Sequence, residues 1–233
     1  MSVAEKKLGI DRVVFIGRTF EEYRAMFNLN EKYLKGKKVL DCASGACSFT
    51  AHALQQGTEA TSCDIAYKFT AEELEKKGSL DLIHTMNQMQ HVQEQYVWKY
   101  FLSIDDLTEH RKRALKDCIA HMKKNPEAYQ YGALPNLPFQ KNEFDLTLCA
   151  NFLFMYSDRL DYTFHLETLK ELIRVTKEEV RLFPLTNLSG KISTYLPQLL
   201  EEIAPLVKVK GTEIADVPYE FQKGANQMLK IYV

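Results

Sequence analysis

Residues 39–47 read VLDCASGAC, and this stretch decides the fold. A short apolar run ends there in an acid and a chain of small residues, and a new helix is expected to begin at Ser48. Small side chains let the backbone turn sharply and approach a ligand, while free N–H groups at the start of the next helix face the same space. The stretch is therefore typical of the nucleotide pocket of an α/β fold.

A second acid, Asp64, lies at a fitting distance from this stretch. It ends the next strand-like run, residues 59–64, and it follows Gly45 by 19 positions. A carboxylate there can accept hydrogen bonds from both hydroxyls of a ribose, and about 20 residues separate the glycine turn from the ribose acid in nucleotide-binding βαβ units. The two signals together predict such a unit.

Length and composition fit a soluble globular protein with a sizeable core. The chain has 233 residues, 45% apolar and 26% charged, and 30 basic against 31 acidic side chains leave a net charge of −1. No overall field attracts it to nucleic acid or to anionic lipid, so a nucleic-acid partner is disfavoured, although a local basic patch stays open. Composition gives no indication of the oligomeric state.

The cysteines and the apolar runs indicate a cytoplasmic location. The apolar runs are too short to span a membrane, and no hydrophobic signal region follows the charged residues 1–7. Five cysteines, an odd number without paired metal spacing, indicate reduced thiols. We expect Cys42 and Cys47, which flank the predicted pocket, to be small buried apolar side chains.

Helices and strands alternate through the first part of the chain. Thr19 and Glu22 form a capping-box pattern before a helix that reaches about residue 28, and a first strand is expected over 38–40. A helix over 48–56 follows the pocket loop. A second capping box opens a further helix at Thr70, which we expect to end at Gly78.

The second half completes an α/β sheet. Strands are expected over 144–150 and 179–184, with helices over 161–175 and 195–203. Two strand-like runs, 206–213 and 227–233, permit a final hairpin at the sheet edge. The predicted fold is a doubly wound, mostly parallel seven-stranded sheet with an antiparallel C-terminal edge strand, in one domain spanning 1–233.

A helical insertion is predicted at about 79–127, because this segment shows no clear strand signal and is too long for an ordinary crossover. We expect two or three helices that cap the strand ends. Arg111, Lys112 and Arg113 are interpreted, with nearby acids, as a solvated helix face. The aromatic residues at 96–101 are expected to form cap core rather than substrate pocket, and the spacing of the histidines predicts no metal site.

With these elements in place, the chain resembles a class I S-adenosylmethionine-dependent methyltransferase. Residues 39–45 are similar to the family's pocket loop D-x-G-x-G-x-G, and Asp64 matches its acid after the second strand. The most specific match is residues 132–146, GALPNLPFQKNEFDL, which is similar to the family's G-D-A-x-x-L-P-F-x-x-x-x-F-D-L. The resemblance implies a Rossmann-like methyltransferase fold and S-adenosylmethionine as the cofactor.

The resemblance also implies a set of cofactor-binding residues. The loop would approach the methionine part of the cofactor, Asp64 would hold its ribose, Ile65 would pack on adenine, and Arg18 or Tyr23 would close over its carboxylate. The implied residues are Asp41, Ala43, Ser44, Gly45, Asp64, Ile65, Ala133, Leu134, Asn151, Phe152, Arg18 and Tyr23. Of these, Asn151 and Phe152 would line the floor near the sulfonium and the substrate.

The chain departs from the family's pattern at three positions. Ala43 and Cys47 stand where the loop has its first and third glycines, which limits positive φ and close approach to the ligand. Ala133 stands where many relatives carry an Asp that holds the adenine amino group, so a backbone contact from Ala133 or Leu134 would have to replace it. These changes affect the expected activity more than the expected fold.

The hypothesis that follows is methyl transfer to a small molecule. The Asn-Pro-Pro-Tyr type of loop used on exocyclic amines of bases is absent, because Asn151 is followed by Phe152. No catalytic residue is assigned, although Tyr156 and His165 are the nearest candidates for a base. Two alternatives are a non-catalytic nucleotide-binding adaptor with a degenerate loop and an NAD-dependent oxidoreductase.

Overall fold

A computed structural model describes residues 13–233. The charged N-terminal residues 1–7, on which the expectation of no signal segment depends, lie outside the described residues. Within 13–233, seven strands form one sheet in the order β3-β2-β1-β4-β5-β7-β6. The strands are β1 Lys38–Cys42, β2 Glu59–Asp64, β3 Tyr129–Tyr131, β4 Phe144–Ala150, β5 Thr176–Phe183, β6 Gly211–Asp216 and β7 Gln227–Tyr232.

Helices cover both faces of this sheet. They are α1 Phe20–Met26, α2 Glu31–Leu34, α3 Phe49–Gln55, α4 Ala71–Met89, α5 Ile104–Lys124, α6 Tyr162–Val175 and α7 Leu196–Ile203. Successive strand residues point to opposite faces, so Val39 packs in the cluster that contains α1 and α3 while Leu40 packs in the one that contains α6 and α7. Four of the five residues of β1 are buried, as expected for a strand that is covered on both faces.

The predicted fold class is confirmed, with a difference at one edge. The five strands from β3 to β5 pair in parallel, and β7 is antiparallel to both of its neighbours. The outermost strand is β6, because β7 lies between β5 and β6. Leu229 and Ile231 of β7 are buried, as is common in an inner strand, whereas four of the six residues of β6 are exposed, as suits an edge.

Both predicted capping boxes form, but the prediction that a helix ends at Gly78 is wrong. The Thr19 and Thr70 hydroxyls each accept the backbone N–H of the third residue of their helix, and the carboxylate of that residue, a Glu, accepts the backbone N–H of the Thr. Helix α4 nevertheless continues through Gly78 to Met89. A Cβ at Gly78 would lie 2.6 Å from Leu115 Cδ1 of α5, so this glycine permits close packing of two helices rather than ending one.

Strand β3 had no counterpart in the sequence analysis. It has three residues, Tyr129–Tyr131, and pairs with β2 at Ser62, Cys63 and Asp64. Three residues are too few to show a strand period. Between β2 and β3 the chain forms α4 and α5, which pack against each other. That these helices are an insertion in a single domain stays a prediction.

Candidate functional site

A cavity of about 360 Å³ opens at the carboxyl ends of the parallel strands. Its wall contains residues that follow β1, β2, β3, β4 and β5, and it is closed by α4, α5 and residues 217–225. The carboxyl edge of an open α/β sheet is where ligands bind, since the loops there diverge around a crevice. The position of the cavity therefore follows from the topology.

The loop after β1 meets the end of β2 through a direct hydrogen bond. The Gly45 backbone N–H donates to Asp64 Oδ2 at 2.8 Å, and the Ala66 N–H donates to Asp64 Oδ1 at 2.8 Å. Burial raises the pKa of Asp64, while the two backbone donors act in the opposite direction. Each carboxylate oxygen keeps a second lone pair, so Asp64 can also accept hydroxyl groups from a ligand in the cavity.

The loop keeps its turn despite the two departures from the glycine pattern. Ala43 has φ +22° and Gly45 has φ +56°, so alanine occupies a positive-φ position that favours glycine. Cys47 is buried, and its Sγ accepts the Arg18 backbone N–H at 3.2 Å. The contact between Gly45 and Asp64 therefore forms although Ala43 and Cys47 stand in place of the family's glycines.

Asp41 and Tyr23 lie beneath the loop and do not line the cavity. The Tyr23 hydroxyl donates to Asp41 Oδ1 at 2.9 Å, and Ser44 Oγ donates to Asp41 Oδ2 at 2.7 Å. Tyr23 is fully buried because it lies on the inner face of α1, stacked 5.0 Å from Phe49. Burial raises the pKa of Asp41 to about 7. These two residues support the loop from below.

The remaining residues implied by the resemblance all line the cavity: Ala43, Ser44, Gly45, Asp64, Ile65, Ala133, Leu134, Asn151, Phe152 and Arg18. Asn151 has φ +53°, and its backbone N–H donates to Phe183 O at 2.6 Å. The Ala133 carbonyl accepts the Asn136 N–H at 2.8 Å and keeps a second lone pair for a ligand donor.

Arg18 reaches the cavity because the segment before α1 crosses the pocket loop. A Cβ at Gly17 would lie 1.9 Å from the Ala46 carbonyl oxygen, so only glycine permits this crossing. The Ser48 N–H donates to Arg18 O at 3.0 Å and fixes the segment against the start of α3. The predicted position of Arg18 at the pocket thus depends on a glycine that the sequence analysis did not interpret.

A buried ion pair in the cavity region was missed. Arg111 Nη1 donates to Glu22 Oε2 at 2.6 Å, and the Tyr219 hydroxyl donates to Glu22 Oε1 at 2.9 Å. Burial alone would raise the pKa of Glu22, but Arg111 and Arg18 outweigh it and hold this pKa below its usual value. Arg111 is 2% exposed, so its interpretation as part of a solvated face is wrong.

Apolar residues of α4, of α5, of the segment between these helices and of residues 217–225 also line the cavity. The sequence analysis assigned none of them to the site, because each fits an ordinary helical or loop core pattern. Among them are Met86, Met89, Leu107, Tyr96 and Phe221. The aromatic residues at 96–101 divide accordingly, since Tyr96 lines the cavity while Phe101 is wholly buried.

The two candidate bases differ in position. Tyr156 lines the cavity, whereas His165 does not and is fully buried. His165 Nδ1 lies 2.8 Å from Asp161 O within α6, and burial lowers the pKa of the imidazole. Burial raises the pKa of Tyr156, so its phenol keeps its proton at neutral pH. His165 thus has no access to a ligand in this cavity.

Three further observations concern the cysteine thiols, possible metal ligands and possible membrane-spanning helices. All five cysteines are unpaired and buried, Cys42 and Cys47 among them. Within residues 13–233, no group of three or more His, Cys, Asp or Glu side chains is placed to hold a metal ion. In the same range, no helix combines the length and apolar character that crossing a membrane requires.

Comparison with known proteins identifies one family. No protein-family model matches the sequence. Over 225 residues the chain is 37% identical to an uncharacterised protein, MJ0045, of Methanocaldococcus jannaschii, and the alignment covers 96% of this chain and 98% of the relative. The chain belongs to the family of this archaeal protein. Nothing in the relative's name assigns an activity to the MJ0045 family.

Solved structures with similar folds include several methyltransferases. Magnesium protoporphyrin IX methyltransferase of Synechocystis PCC 6803, solved with S-adenosylmethionine, aligns with a TM-score of 0.45 at 12% identity, covering 91% of this chain and 76% of that one. A tRNA (m1A58) methyltransferase of Aquifex aeolicus aligns with a TM-score of 0.43 at 11% identity, covering 96% and 72%. No activity of the MJ0045 family follows from similarity at this level.

Proposed function

We propose that this protein is an S-adenosylmethionine-dependent methyltransferase that acts on a small molecule. The observation that carries the proposal is the contact between the Gly45 N–H and the Asp64 carboxylate at the wall of a cavity, at the carboxyl ends of β1 and β2. The chain thereby presents a small-residue loop and a carboxylate to one space. This pairing suits the methionine and ribose parts of a nucleoside cofactor.

The residues around the cavity fit that cofactor part by part. Asp64 would accept the ribose hydroxyls through its remaining lone pairs, and Ile65 would pack against adenine. The Ala133 carbonyl would accept the adenine amino group in place of the Asp found in many similar enzymes. Arg18 would pair with the cofactor's carboxylate, since this residue lines the cavity and its backbone contacts the loop at Cys47.

When bound, the cofactor supplies a methyl group on a positively charged sulfur, which is already a good leaving group. The protein's task is then to orient the acceptor and to exclude water. Residues of α4, of α5 and of 217–225 line the same cavity as Asn151 and Phe152 and would exclude water there. Tyr156 keeps its proton at neutral pH and can donate a hydrogen bond to an acceptor oxygen or nitrogen.

The size and enclosure of the cavity favour a small molecule over a nucleic acid. Its volume of about 360 Å³ lies within the range of small-molecule sites, ~300–1,000 Å³. The net charge of −1 supplies no general attraction to a phosphate backbone.

Calorimetric titration with S-adenosylmethionine and S-adenosylhomocysteine, with NAD as the control, tests the proposal. We expect saturable binding of the two methionine-derived nucleosides and none of NAD. Binding of NAD alone would instead support the oxidoreductase alternative. A folded protein that binds none of the three would overturn the proposal and support the adaptor alternative.

A comparison of two nucleosides tests the role of Arg18. Arg18→Gln should weaken binding of S-adenosylhomocysteine by about tenfold, through loss of one charge-assisted hydrogen bond. Binding of methylthioadenosine, which lacks the amino-acid part, should stay unchanged. Equal weakening of both ligands would remove Arg18 from the carboxylate site.

A further inference from the structure

Part of the cavity wall is left unassigned by the proposed cofactor contacts, and we call it the acceptor region. It consists of the cavity-lining residues within 13–16, 85–111, 155–164, 183–188 and 217–225. Most of these side chains are apolar. The few polar ones therefore decide which chemical groups of a ligand the acceptor region can bind.

Arg111 is the only charged side chain of the acceptor region within residues 13–233, and its charge is neutralised inside the protein. Its Nη1 donates to the fully buried Glu22 at 2.6 Å, and its Nη2 is buried too deeply for a ligand in the cavity to reach. Arg18 and Asp64, the other two charged residues of the wall, are assigned to the cofactor. A charged acceptor would therefore be buried without a side chain of opposite charge, which is costly.

Most of the uncharged polar groups are also bound to protein partners. The Thr85 hydroxyl donates to a carbonyl oxygen of its own helix at 2.7 Å, and the Tyr219 hydroxyl donates to Glu22 at 2.9 Å. The Gln222 amide donates to backbone carbonyl oxygens at 3.1 and 3.2 Å and accepts Thr186 Oγ1 at 3.2 Å. The body of the acceptor would therefore meet mainly hydrocarbon, aromatic rings and sulfur.

Aromatic rings and methionines favour an aromatic body. The Phe152 ring lies 6.2 Å from the Tyr156 ring and 6.3 Å from the Phe164 ring, measured between centroids, and all three residues line the cavity. Met86 and Met89 of α4 line the same cavity. Aromatic rings and methionine sulfurs both make favourable contacts with an aromatic ligand. The rings would also attract a positive charge on a methylated product.

No group of the acceptor region is suited to remove a proton from the acceptor. Within residues 13–233 the region contains no Asp, Glu, His, Lys or Cys. Burial raises the pKa of Tyr156, and that of Tyr96 to about 12, so both phenols keep their protons at neutral pH. A hydroxyl acceptor must release its proton as its oxygen is methylated, and a base normally takes that proton. A neutral nitrogen reacts through its lone pair without this step.

We propose that the methyl acceptor is an uncharged, apolar aromatic molecule that receives the methyl group on a neutral nitrogen. The inference rests on the proposed function, because it assigns the substrate of that same cavity. In the reaction the nitrogen lone pair forms the bond to the methyl carbon, while the carbon–sulfur bond breaks and its electron pair stays on sulfur. The positive charge moves from sulfur to nitrogen, and no proton has to leave during the transfer.

The test uses probes that share a body and differ in one group. The full-length wild-type protein, saturated with S-adenosylhomocysteine, is titrated by calorimetry at a pH where the heterocycles are unprotonated. The two-ring set is isoquinoline, 2-naphthol, 2-naphthoate and 2-naphthylmethylammonium, and the one-ring set is 4-picoline, p-cresol, p-toluate and p-methylbenzylammonium. We expect the uncharged members of at least one set to bind at least about tenfold more tightly than the charged members.

A single-turnover reaction tests the nitrogen. The protein is mixed with S-adenosylmethionine and each uncharged probe, and mass spectrometry measures S-adenosylhomocysteine and the methylated probe. We expect isoquinoline or 4-picoline to yield the N-methyl cation. The phenols, 2-naphthol and p-cresol, should yield at least about tenfold less methylated product, because no base takes their proton.

Two phenylalanine variants locate the probes in the acceptor region. Phe164→Ala should weaken binding of the uncharged probes about three- to tenfold and leave the affinity for S-adenosylhomocysteine unchanged. Phe139→Ala is the matched control, because Phe139 packs against the same core cluster as Phe164 but does not line the cavity. It should leave both affinities unchanged. An unchanged affinity for S-adenosylhomocysteine also shows that each variant is folded.

Several results would overturn the inference. Tighter binding of a carboxylate or an ammonium probe, or no binding of any probe, would show that the acceptor region does not select an uncharged aromatic body. Methylation of the phenols in preference to the heterocycles would refute the assignment of nitrogen. Failure of S-adenosylhomocysteine to bind the wild-type protein would instead refute the proposed function, so the two failures are distinguishable.

Discussion

Replacing Asp64 by alanine separates the two roles that its carboxylate holds. In the folded protein it accepts the Gly45 and Ala66 N–H groups, both at 2.8 Å. Hydrogen bonds to a charged acceptor contribute about 1.5–3 kcal/mol each, but the alanine variant also avoids burying a carboxylate whose pKa is raised by desolvation. We therefore expect a net loss of about 1–3 kcal/mol in the free energy of unfolding.

The same variant should weaken cofactor binding. Loss of the charged acceptor for the ribose hydroxyls costs about 1–3 kcal/mol, which is about 5–150-fold in affinity. Titration with S-adenosylhomocysteine measures the affinity, and urea denaturation measures the stability. Glu59→Ala is the matched control, because Glu59 lies exposed at the first position of the same strand.

The two measurements together decide the role of Asp64. A lower free energy of unfolding with unchanged affinity would show that Asp64 only fixes the pocket loop, and the assignment of the ribose site would be refuted. An unchanged free energy of unfolding would contradict the two backbone hydrogen bonds described above. A drop in both quantities for Glu59→Ala would mean that any change on β2 disturbs the site.

Three further changes test the support of the loop. Between about pH 4 and pH 7 the folded protein keeps the Asp41 proton that the unfolded chain releases, so the free energy of unfolding falls as pH rises. Asp41→Asn should reduce this fall by about 2–3 kcal/mol between pH 5 and pH 8, as measured by denaturation at each pH. Tyr23→Phe should lower the free energy of unfolding by about 1–2 kcal/mol, through loss of the bond to Asp41, with little change in cofactor affinity. Gly17→Ala should cost at least about 2 kcal/mol and weaken cofactor binding, because its Cβ would collide with the Ala46 carbonyl, whereas Gly211→Ala, where a Cβ meets open space, should leave thermal stability nearly unchanged.

Much of the fold could be predicted because its elements carry local signals. The capping boxes at Thr19 and Thr70 depend on residues three positions apart, and both form. The end of α4 could not be predicted in the same way. Gly78 has the composition of a helix stop, but its function is set by Leu115, which is distant in sequence. A prediction from local sequence is wrong where tertiary packing, rather than local conformation, requires a particular residue.

The site could be predicted where it lies in the loops after the strands, and it was missed where it lies on helices. Arg111 was grouped with its charged neighbours, although it occupies the same helical stripe as the buried Leu107, Ala114 and Cys118. A charged residue on an apolar stripe indicates a buried charge with a partner. Its partner, Glu22, was interpreted only as a capping residue. The sequence therefore carried the pattern of a buried charge at Arg111, but it gave no sign that the partner was Glu22, 89 positions away.

Helix α1 joins the two parts of the cavity through adjacent residues. Glu22 pairs with Arg111 on α5, and Tyr23 supports Asp41 beneath the pocket loop. Both are fully buried, so neither side chain can move without moving the helix. The Glu22–Arg111 ion pair and the loop proposed for the cofactor thus share one rigid element. A change that shifts α1 should disturb the ion pair and cofactor binding together, whereas Asp64→Ala should affect cofactor binding and leave the ion pair in place.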